Sequence, residues 1–214
     1  MARITVVGGT GYAGSHIVRE AVSRGHQVTS ISRNAPVEPV PGATYVTGDV
    51  FDTAVLERAV ADTDVVVETL SPRGELEGKL VGVVRALATA AQDAGVRIGV
   101  VGGAGSLLVS EGGPTVASTD GFPDAFTSEA AELAEVLNDL RAADATLDWF
   151  FLSPAGSFGP WAAGEHTGAF RIGGDVLLVD AEGNSNISGA DYAQAFVDEI
   201  ENPAHSRQRF TVAY

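Results

Sequence analysis

The stretch that most constrains this chain is residues 8–14, which read Gly-Gly-Thr-Gly-Tyr-Ala-Gly. It stands between an apolar run, residues 4–7, and a segment with helical periodicity, residues 15–22. A strand that feeds a glycine turn and then a helix places unpaired backbone N–H groups at the helix N-terminus, where they bind anions. The alternative is a glycine-rich turn without a ligand, although a turn alone needs only one glycine.

The glycine spacing matches two forms of the dinucleotide-binding fingerprint. Residues 9–14 fit GxGxxG, and Gly8, Gly11 and Gly14 fit GxxGxxG. Between a strand and a helix this fingerprint predicts a bound pyrophosphate, with the last glycine allowing close packing of the helix on the strand. The residues of the turn predicted to contact the nucleotide are Gly8, Gly9, Thr10, Gly11, Tyr12 and Ala13.

Short β-branched runs alternate with helical patterns along the whole chain. The predicted strands cover residues 3–7, 27–32, 44–47, 64–69, 97–101, 148–152 and 209–213. The predicted helices cover residues 12–24, 52–61, 77–94, 128–143 and 190–201, with Ser128 and Ser188 as N-caps. This alternation predicts an α/β fold with one Rossmann-like, doubly wound parallel sheet, helices on both faces and strand order 3-2-1-4-5-6. Residues 1–214 are expected to form a single NAD(P)-binding domain.

Composition excludes several classes of function. The chain has no cysteine, so disulfides and thiolate chemistry are excluded. Its four histidines, His16, His26, His166 and His205, lack metal-ligand spacing, and no metal site is predicted. The net charge of −15 disfavours nucleic acid and anionic membranes as partners. No signal-peptide pattern precedes the first strand, so we expect a cytoplasmic protein; no feature indicates an oligomeric state.

Two long glycine- and proline-rich segments follow predicted strands. Residues 102–127 and 153–175 lie at the carboxyl ends of strands, where open α/β sheets bind ligands. Loops of this length in a compact domain usually form lids or binding sites. They are predicted to form the acceptor side of the site. Residues 169–172 near the end of the second segment and residues 176–179 just after it could pair as a small hairpin.

The end of the second predicted strand indicates the coenzyme. Arg33 lies about 20 residues after the glycine turn, where an acid would accept from a ribose 2′-OH and an arginine would hold a 2′-phosphate. No Asp or Glu lies between Glu20 and Glu38. Ser32 and Arg33 therefore favour NADP(H) over NAD(H), with a solvated arginine at a strand end as the alternative.

The end of the third predicted strand lies beside the adenine in this architecture. Asp49 could accept a hydrogen bond from the adenine amino group while Val50 packs on the ring face. The competing interpretation is that Asp49 caps the helix that begins near Asp52.

The proton-transfer pair of ordinary short-chain dehydrogenases is absent. These enzymes use a Tyr whose pKa is lowered by a Lys four residues later. None of the four tyrosines has a lysine at that spacing, and Lys79 is the only lysine. Ser106 stands where such enzymes carry a catalytic serine, and it is the one candidate catalytic residue, although a turn serine explains it equally well.

The chemistry that remains depends on positioning. Hydride transfer to a flavin or a similar conjugated acceptor needs donor and acceptor stacked at reacting distance, and solvent can supply the proton. Aromatic side chains in or beside the two long segments could stack on a planar acceptor or cover the core. These side chains are Phe122, Phe126, Phe158, Trp161 and Phe170.

Several motifs make the chain resemble the NADH-flavin reductase group of atypical short-chain dehydrogenases, which are relatives of biliverdin reductase B. The resembling segments are residues 8–14, 48–52, 100–107, 148–149, 153–155, 167–171, 187–193 and 201–212. The resemblance covers nearly the whole chain, and the group also lacks the Tyr/Lys pair. It implies an NAD(P)H-dependent reductase whose small-molecule acceptor is FMN or another flavin.

The resemblance also implies where the cofactor lies. The glycine turn, Arg33, Asp49 and Val50 would hold the adenosine end. The residues it places along the rest of the cofactor are Thr69, Leu70, Gly102 and Gly103, followed by Pro154 and Ala155 at the nicotinamide. Two other functions stay open: a non-catalytic NADP(H) sensor that signals through a partner, and an isomerase or lyase that uses bound cofactor.

Overall fold

The computed structural model describes all residues from Met1 to Tyr214. Eight strands form one sheet: β1 Arg3–Val7, β2 Gln27–Ser32, β3 Ala43–Thr47, β4 Val65–Glu68, β5 Arg97–Val101, β6 Trp149–Ser153, β7 Arg171–Gly173 and β8 Gln208–Ala213. Five α-helices accompany them: α1 Tyr12–Ser23, α2 Thr53–Val60, α3 Leu80–Ala94, α4 Thr127–Ala142 and α5 Gly189–Glu201. The predicted elements are all present, with ends that shift by a few residues.

The sheet has the order β3-β2-β1-β4-β5-β6-β8-β7. Its first seven strands are parallel, and the predicted order 3-2-1-4-5-6 is confirmed. The order reverses between β1 and β4, which opens a crevice at the carboxyl ends of the strands. This is a Rossmann-like α/β fold.

The predicted hairpin between residues 169–172 and 176–179 is wrong. β7 instead pairs antiparallel with β8, and Ile172 lies opposite Val212. Val176, in the second half of the expected hairpin, bridges to Leu108. Residues on both sides of the expected turn pair instead with segments distant in sequence. The free edge of β8 and the 102–127 segment provide hydrogen bonds to backbone groups that a local hairpin would leave unpaired.

Two apolar layers cover the sheet. One packs α2, α3 and α4 on one face around side chains such as Val66, Val100 and Phe151. The other packs α1 and α5 on the opposite face around Val67, Phe150 and others. Adjacent strand residues alternate between the layers, as a sheet buried on both faces requires. The packed helices thereby hold in place the strands whose carboxyl ends border the crevice.

Helix starts show which capping predictions hold. The Ser188 hydroxyl accepts from the Asp191 backbone N–H at 3.0 Å, so its predicted N-cap role is confirmed. The N-cap prediction for Ser128 is wrong, because α4 begins at Thr127 with Phe126 at the cap and no side-chain hydrogen bond there. A one-turn 3₁₀ helix ending at Phe126 runs directly into α4 and displaces the expected cap.

No helix combines the length and apolar character that crossing a bilayer requires.

Candidate functional site

The glycine turn after β1 has a conformation that side chains would block. Gly8 has φ +92°, a left-handed conformation that favours glycine, and its N–H donates to the Ile31 carbonyl oxygen at 2.8 Å. A Cβ added at Gly14 would lie 2.4 Å from the Gly8 carbonyl oxygen, which is closer than atoms can approach. The turn and the start of α1 therefore pack together as tightly as the fingerprint predicts.

The N-terminus of α1 is open to an anion. Gly11 occupies the N-cap position, provides no side-chain cap, and has no acidic residue after it in the first turn. The first N–H groups of a helix have no partner within the helix, and they lie at the positive end of its dipole. This end of α1 can accept a phosphate group without displacing a carboxylate.

A cleft of about 840 Å³ opens above the carboxyl ends of the strands at the β1/β4 switch. Its volume lies within the range of ligand pockets, about 300–1,000 Å³. Most of the predicted contact residues line it: Gly8, Thr10, Gly11, Tyr12, Ala13, Ser32, Arg33, Val50, Thr69, Leu70, Gly102, Gly103, Pro154 and Ala155. The fold thus brings the ends of six different strands, β1 to β6, to one concave surface.

Three predicted residues do not line the cleft. Gly9 lies within the turn and is buried against Ser30 and Val18. Asp49 is exposed, and its carboxylate accepts from the Phe51 N–H at 3.0 Å. The cap of α2 is Asp52, so the interpretation of Asp49 as that cap is wrong.

Ser106 is the third residue outside the cleft. Its hydroxyl accepts from the Arg209 guanidinium at 3.1 Å, and Arg209 is buried against the carboxylate of Asp175. The serine therefore helps to tie the 102–127 segment to β8. The Ser106 side chain is not among those that line the cleft.

One end of the cleft joins a buried hydroxyl to a cation. The Ser32 hydroxyl at the end of β2 is buried and has no hydrogen-bond partner. Arg33 follows it, half-exposed, and its guanidinium forms an ion pair with Glu75. An unpartnered donor beside an arginine suits a phosphate group, whose oxygens accept from both.

Aromatic rings line the far end. Phe122, Phe126, Phe158 and Trp161 face the cleft, whereas Phe170 packs against the core layer of α1 and α5. Trp161 is 61% exposed, and the Arg73 guanidinium lies 5.6 Å from the Phe126 ring centre and 5.9 Å from that of Trp161. This wall offers flat apolar surface with one cation beside it.

Sequence reasoning missed several lining residues. Arg73 and Leu76 come from the connection between β4 and α3, and Glu129 comes from α4. Arg73 and Glu129 form an ion pair at 2.7 Å. A search based on strand ends cannot find these side chains, because their position depends on how the 71–79 connection crosses the cleft.

A fully buried acid lies directly beneath the cleft. Glu68 ends β4, and its carboxyl accepts from the Leu70 N–H at 2.6 Å while its other oxygen has no partner. Burial raises the pKa of Glu68 to about 8, despite the opposing effect of that hydrogen bond. Glu68 is therefore largely protonated at neutral pH, and it braces the turn that carries Thr69 and Leu70.

The sequence matches the NAD(P)H-binding family over residues 8–203. The chain belongs to this family. The matched region includes the glycine turn, the carboxyl ends of β2 to β6 and the whole of α5.

Close relatives share the full length of the chain. The uncharacterized protein YwnB of Bacillus subtilis (strain 168) is 40% identical, over 98% of this chain and 97% of its own. A crystal structure of a protein from Burkholderia pseudomallei, described as a "putative exported protein", has a TM-score of 0.89 and 44% identity, with both chains fully covered. A Streptococcus pneumoniae TIGR4 protein described as a "putative NADH-flavin reductase" has a TM-score of 0.85 and 30% identity, over 100% of this chain and 99% of its own.

Proposed function

We propose that this protein is an NAD(P)H-dependent oxidoreductase that transfers hydride to a flavin or a similar conjugated acceptor. One observation carries the proposal: a single cleft joins an anion-binding glycine turn to a wall of aromatic rings. The name of the Streptococcus pneumoniae relative supports the flavin as acceptor. When bound, the reduced coenzyme would supply the hydride, and the protein would supply position and shielding from water.

The coenzyme fits the near end of the cleft. The α1 N-terminus would hold the pyrophosphate, and Val50 would pack on the adenine. Ser32 and Arg33 would both bind a 2′-phosphate, which favours NADP(H) over NAD(H). Thr69, whose hydroxyl already donates to the Val7 carbonyl oxygen at 2.9 Å, would lie along the coenzyme with Leu70.

The acceptor fits the far end. Pro154 and Ala155 are buried at the end of β6 and would face the nicotinamide through their backbone. Gly102 and Gly103 at the end of β5 line the cleft beside them, and the side chains of Phe151 and Leu133 fill the space that a Cβ at these positions would need. The rings of Phe126 and Trp161 would stack on that acceptor, so that the two reacting rings are held face to face.

The chain's own groups provide little acid–base chemistry at this end. Lys79 does not line the cleft, and its ammonium group lies 5.3 Å from the ring centre of Phe51. Burial raises the pKa of Tyr12, although the nearby Gly189 backbone opposes the shift, so this hydroxyl stays protonated at neutral pH. A conjugated acceptor that takes its proton from solvent matches this site better than an isolated carbonyl does.

The test is turnover of NADPH by the purified protein. NADPH is mixed with FMN, riboflavin or a quinone, and absorbance at 340 nm is followed against a control without protein. We expect oxidation well above that control for at least one flavin. Tight coenzyme binding by calorimetry without turnover of any acceptor would instead support the sensor function.

Replacing Arg33 by Ala is expected to weaken NADPH binding by about 1.5–3 kcal/mol, the usual value of a charge-assisted hydrogen bond, and to change NADH binding little. Calorimetric titration with both coenzymes measures this. Arg85→Ala is the matched control, because Arg85 is also an exposed arginine paired with a carboxylate, that of Asp139, but lies outside the cleft. Equal losses for NADPH and NADH would show that Arg33 does not contact a 2′-phosphate.

A further inference from the structure

The ion pair between Arg33 and Glu75 brings a carboxylate to the coenzyme end of the cleft. Glu75 lies 42 residues after Arg33, on a one-turn 3₁₀ helix, Gly74–Leu76, between β4 and α3. Both side chains are solvent-accessible, at 51% for Arg33 and 73% for Glu75. A ligand can therefore reach the pair, and either side chain can turn away from the other.

The segment that carries Glu75 is fixed on both sides of it. The neighbouring Leu76 is 6% exposed and packs into the core layer of α2, α3 and α4. Arg73 is held by the Glu129 carboxylate at 2.7 Å. Beyond Glu75, the Gly78 N–H donates to the Glu132 carboxylate at 2.7 Å. These anchors hold the Glu75 backbone beside Arg33, so the carboxylate stays within reach when the pair opens.

We infer that Glu75 determines how strongly this protein discriminates between NADPH and NADH. The inference rests on the proposed function, since it concerns the coenzyme held at Arg33. A 2′-phosphate would compete with the Glu75 carboxylate for one guanidinium, and the two anions would repel each other. A ribose 2′-OH is a donor, and the carboxylate accepts from it without leaving Arg33.

Glu75 thereby supplies the acid that β2 lacks. Dinucleotide-binding proteins that use NAD place an Asp or Glu near the end of the second strand to accept from the ribose. Here no acid lies between Glu20 and Glu38, and the position after β2 is Arg33. The 71–79 connection brings a carboxylate to the same place from another part of the chain. The protein thus has an arginine for one coenzyme and a carboxylate for the other.

Glu75→Gln tests this, with NADPH and NADH titrated separately into the whole protein by calorimetry or nicotinamide fluorescence. The substitution removes the charge and keeps the size of the side chain. We expect NADPH to bind roughly three- to tenfold more tightly, because an exposed ion pair and a like-charge contact are both removed. NADH binding is expected to stay the same or to weaken by up to about threefold, since an amide oxygen is a poorer acceptor than a carboxylate.

Two comparisons separate this effect from a general change in charge. Glu77→Gln removes the same charge two residues away, where the exposed carboxylate makes no ion pair, and the ratio of the two affinities is expected to stay unchanged. In an Arg33→Ala background, Glu75→Gln is expected to have less than about half of its effect on NADPH, since the competition for the guanidinium is gone.

The outcomes are distinguishable. An unchanged affinity ratio in Glu75→Gln, with both coenzymes still bound by the wild type, would overturn the inference and leave the proposed function standing. An equal shift in Glu77→Gln, or a full effect without Arg33, would also overturn it. Failure of the wild-type protein to bind either coenzyme would overturn both.

Discussion

Arg97→Met is expected to lower the free energy of unfolding by about 3–5 kcal/mol at neutral pH, the usual cost of removing one partner of a buried ion pair. Arg97 begins β5 and is 9% exposed. Its guanidinium donates to the Glu199 carboxylate at 2.6 Å and to the Glu199 carbonyl oxygen at 2.9 Å. Methionine replaces much of the apolar stem but leaves a carboxylate that is 3% exposed without its cation. Urea unfolding followed by circular dichroism measures the loss.

Glu199 cannot easily escape to solvent in this variant. Its carboxylate also accepts from the backbone N–H groups of Ala204 and His205, at 3.1 and 3.0 Å, and contacts the His205 ring nitrogen at 2.7 Å. These contacts tie the end of α5 to the loop before β8. Arg85→Met is the control, because Arg85 is 60% exposed and its pair with Asp139 should contribute at most about 1 kcal/mol. Equal losses in the two variants would contradict the prediction.

The Arg97→Met defect should depend on pH. Burial tends to raise the pKa of Glu199, but hydrogen bonds from Arg97 and His205 outweigh it and hold that pKa below its usual range. In the wild type this carboxylate stabilises the fold above the unfolded pKa, and the contribution is lost as the pH falls through the folded pKa. Without Arg97 the folded pKa rises, and protonation relieves the buried charge. The difference in the free energy of unfolding between Arg97→Met and the wild type is therefore largest at neutral pH and becomes smaller at acidic pH.

The order of the sheet was predictable because each strand carries its own signal. Residues 65–67 and 149–152 are continuous apolar runs that are buried on both faces, and helical periodicity fills the gaps between such runs. Parallel strands with helical crossovers permit few topologies. The glycine turn was predictable for the same reason, since its signal lies within seven consecutive residues.

The features that the sequence did not reveal depend on contacts between distant segments. The carboxylate beside Arg33 comes from Glu75, and a search around the end of β2 could not find it. Ser106 has the chain position of a catalytic serine, but Arg209 on β8 holds its hydroxyl away from the cleft. In both cases one long side chain on another element decides what the local motif contacts.

Glu68→Gln is expected to stabilise the protein, and by more as the pH rises. Glu68 is fully buried, its Cα lies between those of Val7 and Val100 in the sheet, and no cation pairs with it. Glutamine has nearly the same shape and can still accept from the Leu70 N–H, but it has no proton to release and stays neutral. The variant therefore removes the ionisation and keeps the hydrogen bond that braces the turn.

The direction of this stability change follows from the raised pKa of Glu68, about 8. In the unfolded chain this carboxyl releases its proton near pH 4.3, whereas in the folded chain it must stay protonated or become an unpaired buried charge. Folding thus retains a proton between these two pH values, and wild-type stability falls over that range by about 1.4 kcal/mol per pH unit. The carboxyl contributes its full stability only below the unfolded pKa.

The difference in the free energy of unfolding between Glu68→Gln and the wild type should grow with pH as the wild-type stability falls. We expect this difference to be near zero at pH 4, about 4 kcal/mol at pH 7, and on the order of 5 kcal/mol at pH 9, above which it levels off. Tyr192 is an ionisable group that interacts electrostatically with Glu68, and its hydroxyl donates to the Leu152 carbonyl oxygen at 2.7 Å. Burial and then Glu68 raise the pKa of Tyr192, so this tyrosine stays neutral over the whole range and does not distort the curve.

Urea unfolding of both proteins at several values between pH 4 and pH 9 separates this account from a simple packing effect. Better or worse packing of glutamine would shift stability by the same amount at every pH, whereas ionisation makes the difference grow with pH. Glu77→Gln, at an exposed site, should give a small and nearly constant difference. A constant difference for Glu68→Gln would mean that the native protein already holds this carboxyl as an anion, and that the turn carrying Thr69 and Leu70 is braced by a charge.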